Sequence, residues 1–193
     1  MEKIMIAASL IIAITCHEFA HAFAAYKLGD NTAKNNGRLT LNPLKHIDPI
    51  GALFMFVFRF GWAKGVPINP MNFGHRKRDT IIVSLAGVTT NFVIAIVAAL
   101  LMRTSFVYRF NWLPYLLIWS IWYNVMLGVF NLVPLPPLDG SKVVASLMPS
   151  KIEYYFYKYE RYFYIVLVIL IMTDVIDYVM APAIEFIINI LLG

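Results

Sequence analysis

The stretch from residue 4 to residue 26, IMIAASLIIAITCHEFAHAFAAY, decides the fold of this chain. It is almost entirely apolar, and at about 1.5 Å of rise per residue a helix of this length crosses a bilayer. It also resembles a secretory signal peptide, with Lys3 in front and Ala22-Phe23-Ala24 in the place of a cleavage site. We interpret it as a retained span, because a cleavable signal has no use for the two histidines and the glutamate in its second half.

Two further runs are free of charged residues and long enough to span a membrane, Ile81–Met102 and Trp112–Leu135. The composition agrees, since 60% of the 193 residues are apolar and only 14% are charged. Between the first two spans, Ile50–Phe58 is apolar but too short to cross, which predicts a re-entrant or β segment. In the C-terminal region, Asp174 and Asp177 divide the apolar residues into two runs. These runs could form a helical hairpin or two interfacial helices.

These features predict an all-α polytopic membrane protein with a three-helix core, a short re-entrant or β segment and a C-terminal helical hairpin. We expect residues 1–193 to form a single membrane-embedded domain, with the core at about residues 4–145 and the C-terminal helices at about 150–193. Cys16 is the single cysteine, which excludes an internal disulfide.

The positive charges favour a membrane topology over nucleic-acid binding. The net charge is +5, but the lysines and arginines flank the apolar runs: nine lie in residues 27–78, two in 103–111 and four in 142–161. The positive-inside rule therefore predicts a multi-pass protein of the cell membrane with its amino terminus outside. We expect no nucleic-acid partner.

The most informative motif is His17-Glu18-Phe19-Ala20-His21, an H-E-x-x-H pattern in a predicted helix. Histidines four residues apart share one helical face, so both imidazoles can bind one ion, while Glu18 can activate a water molecule beside it. Three ionisable side chains inside an apolar span are costly unless they face a polar cavity, which favours a functional interpretation. The alternative is a buried hydrogen-bonded cluster that packs the helices.

A zinc site of this type needs a third protein ligand. The candidate is Asp139 in the stretch NLVPLPPLDG at residues 131–140, where three prolines forbid regular helix at the end of an apolar span. The predicted topology brings Asp139 to the same depth as His17 and His21, near the cytoplasmic side. The alternative is a surface turn in which Asp139 caps the next helix.

These motifs resemble the site-2 protease family of intramembrane zinc metalloproteases, in its compact subgroup without a PDZ domain. In that family an H-E-x-x-H helix is joined by a distant aspartate in an N-x-x-P-x-x-x-L-D-G-like segment. The resemblance implies one Zn²⁺ per chain, held by His17, His21 and Asp139. It covers about residues 5–145 and extends to four further stretches, GRLTLNP at 37–43, HIDP at 46–49, GWAK at 61–64 and VPINP at 66–70.

One position departs from the family pattern. Where the family usually has G-P-x-x-N in its central span, Gly87-Val88-Thr89-Thr90-Asn91 has valine in the place of proline. The resemblance implies that Asn91 faces the active site and positions the substrate or stabilises the oxyanion. An interhelical hydrogen bond is the equal alternative. Asn124 has no motif around it and is interpreted as packing, and His46 and Asp48 as turn residues.

The predicted reaction is hydrolysis of peptide bonds within or near transmembrane segments of a membrane protein substrate, with Glu18 activating zinc-bound water. A helical substrate must unwind locally, and the alternating residues Arg38, Leu39, Thr40 and Leu41 predict a short strand whose edge pairs with it. The bilayer is the second partner, and the oligomeric state is open. Two alternatives remain, a metal transporter and a non-catalytic metal-binding scaffold, although the other two core spans carry no charged path for a transported ion.

Overall fold

The computed structural model describes residues 1–51 and 63–193 of the chain. Four of its helices are long and apolar enough to cross a membrane, namely Glu2–Lys27, Arg76–Met102, Leu113–Leu132 and Val175–Leu192. The prediction of an all-α, multi-pass membrane protein is therefore confirmed. The main α-helices in the described ranges are α1 (Glu2–Lys27), α2 (Thr32–Asn35), α3 (Arg76–Met102), α4 (Leu113–Leu132), α5 (Asp139–Leu147), α6 (Ser150–Met172) and α7 (Val175–Leu192).

Helices α1, α3 and α4 pack directly against one another and form the centre of the protein. Small buried side chains line this centre, among them Ala13, Ala95 and Ala98. Between membrane helices, small residues let the backbones approach closely and improve van der Waals packing. Polar side chains in the middle of α1 can therefore contact the other two spans directly.

The C-terminal helices form the predicted hairpin. Thr173 and Asp174 join α6 to α7, and Asp174 adopts a left-handed backbone conformation with φ of 57°. Helix α7 packs against α4, where Ile176 joins the apolar core. Near its start, α6 is tied to α3, because Glu153 accepts two hydrogen bonds from the Arg76 guanidinium at 2.7 and 2.8 Å. Both helices of the hairpin are thus attached to the central spans.

The short strand predicted at residues 38–41 is wrong, because the segment forms no strand and bends at Leu39 and Thr40. The buried Arg38 side chain donates a hydrogen bond to the carbonyl oxygen of Lys64. The carbonyl oxygen of Thr40 accepts one from the buried ring of His46 at 2.7 Å. These two contacts pull the segment inward, so its alternating polar and apolar residues do not present a straight edge.

Two other expectations concern the region before α3. Within the described residues, β pairing is limited to one isolated antiparallel bridge, between Ile47 and Ala63. The predicted re-entrant or β segment at Ile50–Phe58 lies almost wholly outside the described residues, as does the Gly61-Trp62 pair. Asp48 precedes the helical residues 49–51, and its Oδ1 atom accepts hydrogen bonds from the backbone amides of Ile50 and Gly51 at 2.9 and 2.8 Å.

Candidate metal centre

The two histidines of the H-E-x-x-H motif lie on one face of α1, which turns toward α3 and α5. His17 and His21 are each only 5% exposed. Their Nε2 atoms are 2.9 Å apart, and the two rings meet edge to face. The four-residue spacing on a helix therefore brings both imidazoles to one point, as the sequence predicts.

Asp139 reaches the same point from the opposite end of the sequence. Prolines 134, 136 and 137 stop α4 at Leu132, and α5 begins at Asp139 itself. Its Oδ2 atom lies 3.2 Å from Nε2 of His17 and 2.9 Å from Nε2 of His21. The Asp139 side chain caps no helix, so it is available to the histidines.

Glycine is required at the next position, because α5 starts against the end of α4. A Cβ atom at Gly140 would lie 2.2 Å from the carbonyl oxygen of Leu132 and 2.8 Å from that of Val133. Both neighbours are backbone atoms, which cannot move aside cheaply. The Asp139-Gly140 pair therefore combines a candidate ligand with the residue that lets its helix approach closely enough to deliver it.

The three side chains fit a zinc ion. Around a tetrahedral ion with bonds of about 2.0 Å, neighbouring ligand atoms lie about 3.3 Å apart. The two Nε2 atoms and Oδ2 of Asp139 are separated by 2.9 to 3.2 Å, close to that spacing. Two imidazoles and one carboxylate are also a usual ligand set for catalytic zinc, which leaves the fourth position to water or substrate.

The Nδ1 atom of each histidine is anchored on α3. Nδ1 of His17 lies 2.6 Å from Oδ1 of Asn91, and Nδ1 of His21 lies 2.7 Å from the carbonyl oxygen of Val83. A backbone carbonyl oxygen only accepts, so the Val83 contact favours hydrogen on Nδ1 of His21, and an oxygen of Asn91 facing His17 favours the same tautomer there. Such outer contacts orient metal-binding imidazoles and fix their tautomer.

Gly87 of α3 leaves the space that the two rings occupy. A Cβ atom at this position would lie 2.5 Å from Nε2 of His21 and 2.6 Å from Cε1 of His17. Gly87 precedes Asn91 by one helical turn, so the residue that makes room and the residue that anchors His17 share one face. Helix α3 runs unbroken from Arg76 to Met102, with valine in the place of the family's proline.

Glu18 lies half-buried beside the histidines. Its Oε2 atom accepts a hydrogen bond from the backbone amide of Val66 at 2.8 Å. On the other side of the site, Nζ of Lys142 donates to Oδ1 of Asp139 at 3.0 Å, which leaves Oδ2 directed at the histidines. Both carboxylates therefore have one oxygen fixed by the protein.

The segment that carries Val66 is held by Asp30, just after α1. Asp30 is fully buried and accepts hydrogen bonds from the backbone amides of Thr32 and Asn69 and from the side chain of Asn72. Burial would raise the pKa of Asp30, but these hydrogen bonds, with that of the Thr32 hydroxyl, outweigh burial and hold the pKa below its ordinary value. An ionised Asp30 thus fixes the start of α2 and the residues after Val66.

The structure brings His17, His21 and Asp139 together, with Asn91 against His17 and Glu18 alongside. Residues 38–41 are joined instead to the segment that carries Val66, because Arg38 donates to the carbonyl oxygen of Lys64. Sequence reasoning missed the roles of Gly87, Lys142 and Asn124. A signal existed for Asn124, because a buried amide in an apolar span needs a polar partner.

Buried histidines, a candidate carboxylate ligand and a glutamate, within a bundle of helices long and apolar enough to cross a membrane, fit the class of membrane metallopeptidases. Comparison with known proteins agrees. The model of peptidase family M50 matches residues 107–173. The chain is 39% identical over 181 residues to "Putative zinc metalloprotease YwhC" of Bacillus subtilis, covering 90% of this chain and 83% of that protein.

A second relative, "Putative zinc metalloprotease Rip2" of Mycolicibacterium smegmatis, is 28% identical over 184 residues, which cover 90% of this chain and 69% of that protein. No solved structure matches the chain. The chain belongs to peptidase family M50, the site-2 protease family, as its motifs indicated. It is a zinc metalloprotease.

Proposed function

We propose that this zinc metalloprotease cleaves peptide bonds within or near transmembrane segments of membrane proteins, with one zinc ion held by His17, His21 and Asp139. The observation that carries the proposal is the convergence of these three side chains, 2.9 to 3.2 Å apart, among spanning helices. A site enclosed in this way is reached most directly by a substrate that is itself in the membrane.

Residues 1–193 act as one protease domain in this proposal. The C-terminal hairpin supports this, because Glu153 of α6 is bonded to Arg76 of α3 and α7 packs on α4. The charge distribution supports an amino terminus outside and a site toward the cytoplasmic side of the cell membrane, since the region around Asp139 adjoins a lysine- and arginine-rich segment.

Bound zinc supplies a Lewis acid that acidifies water and polarises the scissile carbonyl group. Glu18 takes a proton from the attacking water and returns it to the leaving amine. The Val66 amide holds one oxygen of Glu18 at 2.8 Å, and the other oxygen makes no hydrogen bond within residues 1–51 and 63–193, so it is available for this transfer. Lys142 fixes Oδ1 of Asp139 and so keeps Oδ2 toward the metal side.

Substrate pairing along residues 38–41 is the second part of the proposal. Because this segment is bent, pairing requires it to straighten when an unwound substrate arrives. Leu41 is the accessible member, with 58% of its surface exposed. Replacing Leu41 with proline should raise KM and leave zinc content unchanged. An equal loss of substrate affinity and of zinc content would contradict pairing.

The proposal is tested by zinc content and cleavage measured on detergent-purified protein. The parent should hold about one zinc per chain, and His21→Ala and Asp139→Ala should lose it. Glu18→Gln should keep the zinc and lose cleavage of a panel of reconstituted single-span proteins. A metal transporter or scaffold would instead tolerate Glu18→Gln, and zinc retained in both ligand variants would overturn the site.

A further inference from the structure

A chain of buried amides leads away from the metal centre into the contact between α3 and α4. Oδ1 of Asn91 lies 2.6 Å from Nδ1 of His17, and Nδ2 of Asn91 donates to Oδ1 of Asn124 at 2.8 Å. Nδ2 of Asn124 then donates to the carbonyl oxygen of Ser120 at 2.8 Å. Asn91 and Asn124 are both fully buried, so solvent cannot replace any of these partners.

The Ser120 carbonyl oxygen sets the direction of every hydrogen bond in this series of amides. A backbone carbonyl oxygen only accepts, so Asn124 must turn its NH₂ group to Ser120 and its oxygen to Asn91. Asn91 must then turn its NH₂ group to Asn124 and its oxygen to His17. An oxygen facing Nδ1 of His17 requires hydrogen on that nitrogen.

A second contact, longer than the one to Asn124, favours the same direction. Nδ2 of Asn91 also donates to the backbone oxygen of Ala13 at 3.3 Å. If the Asn91 amide were reversed, its oxygen would face the oxygens of Ala13 and Asn124. Both donor hydrogens of Asn91 are therefore used within the protein, which favours the interhelical alternative for this residue over contact with a substrate oxyanion.

We propose that Asn91 and Asn124 are positioning residues that keep the hydrogen of His17 on Nδ1 and so leave Nε2 free for zinc. The proposal rests on the zinc ligands proposed above. The two amides are needed for this because Oδ2 of Asp139, an acceptor, lies 3.2 Å from Nε2 of His17 and competes for the hydrogen of the ring. Before zinc binds, that carboxylate favours hydrogen on Nε2, the tautomer that cannot bind the metal.

His21 does not need an asparagine pair to keep its hydrogen on Nδ1. Its Nδ1 atom faces the carbonyl oxygen of Val83 directly, at 2.7 Å, and a carbonyl cannot present a donor. Asn91 can present either an oxygen or an NH₂ group, so its orientation has to be enforced. Asn124 does this from the adjoining helix α4.

The first test compares Asn124→Leu with Ser9→Ala in zinc affinity, measured by competition with a chelator. Leucine keeps most of the volume of asparagine but removes the amide. Ser9 of α1 is the matched control, because it is buried against the same helix α4, bonded to Ser120 Oγ at 3.3 Å and to the carbonyl oxygen of Leu116 at 3.0 Å, yet lies outside the amide chain.

We expect zinc affinity to fall about 10-fold in Asn124→Leu and up to about 100-fold in Asn91→Leu, in the range usual for outer contacts of metal ligands. Ser9→Ala should match the parent. Equal affinities in the parent and Asn124→Leu would overturn the proposal, as would an equal loss in Ser9→Ala.

The second test reads the tautomer itself by ¹⁵N NMR of the metal-free protein above neutral pH. The chain has four histidines, so the His17 signal can be assigned by substitution. The parent should carry hydrogen on Nδ1 of His17, and Asn124→Leu should shift population to Nε2. An unchanged tautomer refutes the proposal even if the variant folds poorly enough to lose zinc. If the parent bound no zinc, the proposed function would fail, but the NMR result would still show whether Asn91 and Asn124 set the tautomer of His17.

Discussion

Replacing Gly87 with alanine should remove most zinc binding, although alanine is the better helix former. The new Cβ atom would lie 2.5 Å from Nε2 of His21 and 2.7 Å from Nε2 of His17, where ordinary contact needs about 3.5 Å. The rings cannot both retreat, because Asn91 holds His17 at 2.6 Å and Val83 holds His21 at 2.7 Å. We expect zinc affinity to fall at least about 100-fold, since the methyl group displaces two ligands at once.

Chelator competition on the detergent-purified protein measures this effect, with circular dichroism as the check on folding. Gly128→Ala is the matched control, because the atoms nearest to its Cβ would belong to the Phe92 ring, at 3.0 to 3.2 Å, and not to a histidine. Alanine gains about 1 kcal/mol of helix propensity in both variants, so neither should lose helix. If Gly87→Ala bound zinc as tightly as the parent, the close approach of α3 to the rings would be refuted.

Three further predictions concern the supports of the site. Gly140→Ala should lower both zinc content and thermal stability, because its methyl group would meet the carbonyl oxygen of Leu132 at 2.2 Å; normal zinc content would contradict this. Glu153→Gln should cost about 1–2 kcal/mol, as the Arg76 partner is half exposed, and leave zinc affinity unchanged. Asp30→Asn should cost about 2 kcal/mol near neutral pH. Because folding lowers the pKa of Asp30, its contribution is complete above the ordinary value of 3.8 and is lost as the pH falls further. The thermal midpoint of the parent should therefore drop more steeply below about pH 4 than that of the variant.

The sequence was sufficient to predict the three core spans and the grouping of His17, His21 and Asp139, but it left the C-terminal helices open. Long apolar runs have few folds open to them, because a bilayer leaves backbone groups no partner outside a helix or a closed barrel. The spacing of His17 and His21 then fixes their relative placement on a helix. Asp139 could be paired with them because the predicted topology put both segments at the same depth.

The rest depended on contacts that a single sequence does not encode locally. The alternation at residues 38–41 predicts a strand, but the buried contacts of Arg38 and Thr40 override it. Gly87 belongs to a recognisable motif, but its role in making room for the His17 and His21 rings follows only from its distance to those rings on another helix. Asn124 had no motif at all, and its partner lies 33 positions away in the chain.

Different helices supply the candidate zinc ligands and the groups that orient them. The candidate ligands come from α1 and α5, whereas the groups that orient the two histidines come from α3, with α4 behind them. Separating α3 from α1 by even a small distance would leave every ligand in place on its own helix and release both Nδ1 anchors. Zinc affinity should therefore report the packing of the spans, and it should fall in harsh detergents before helix content does.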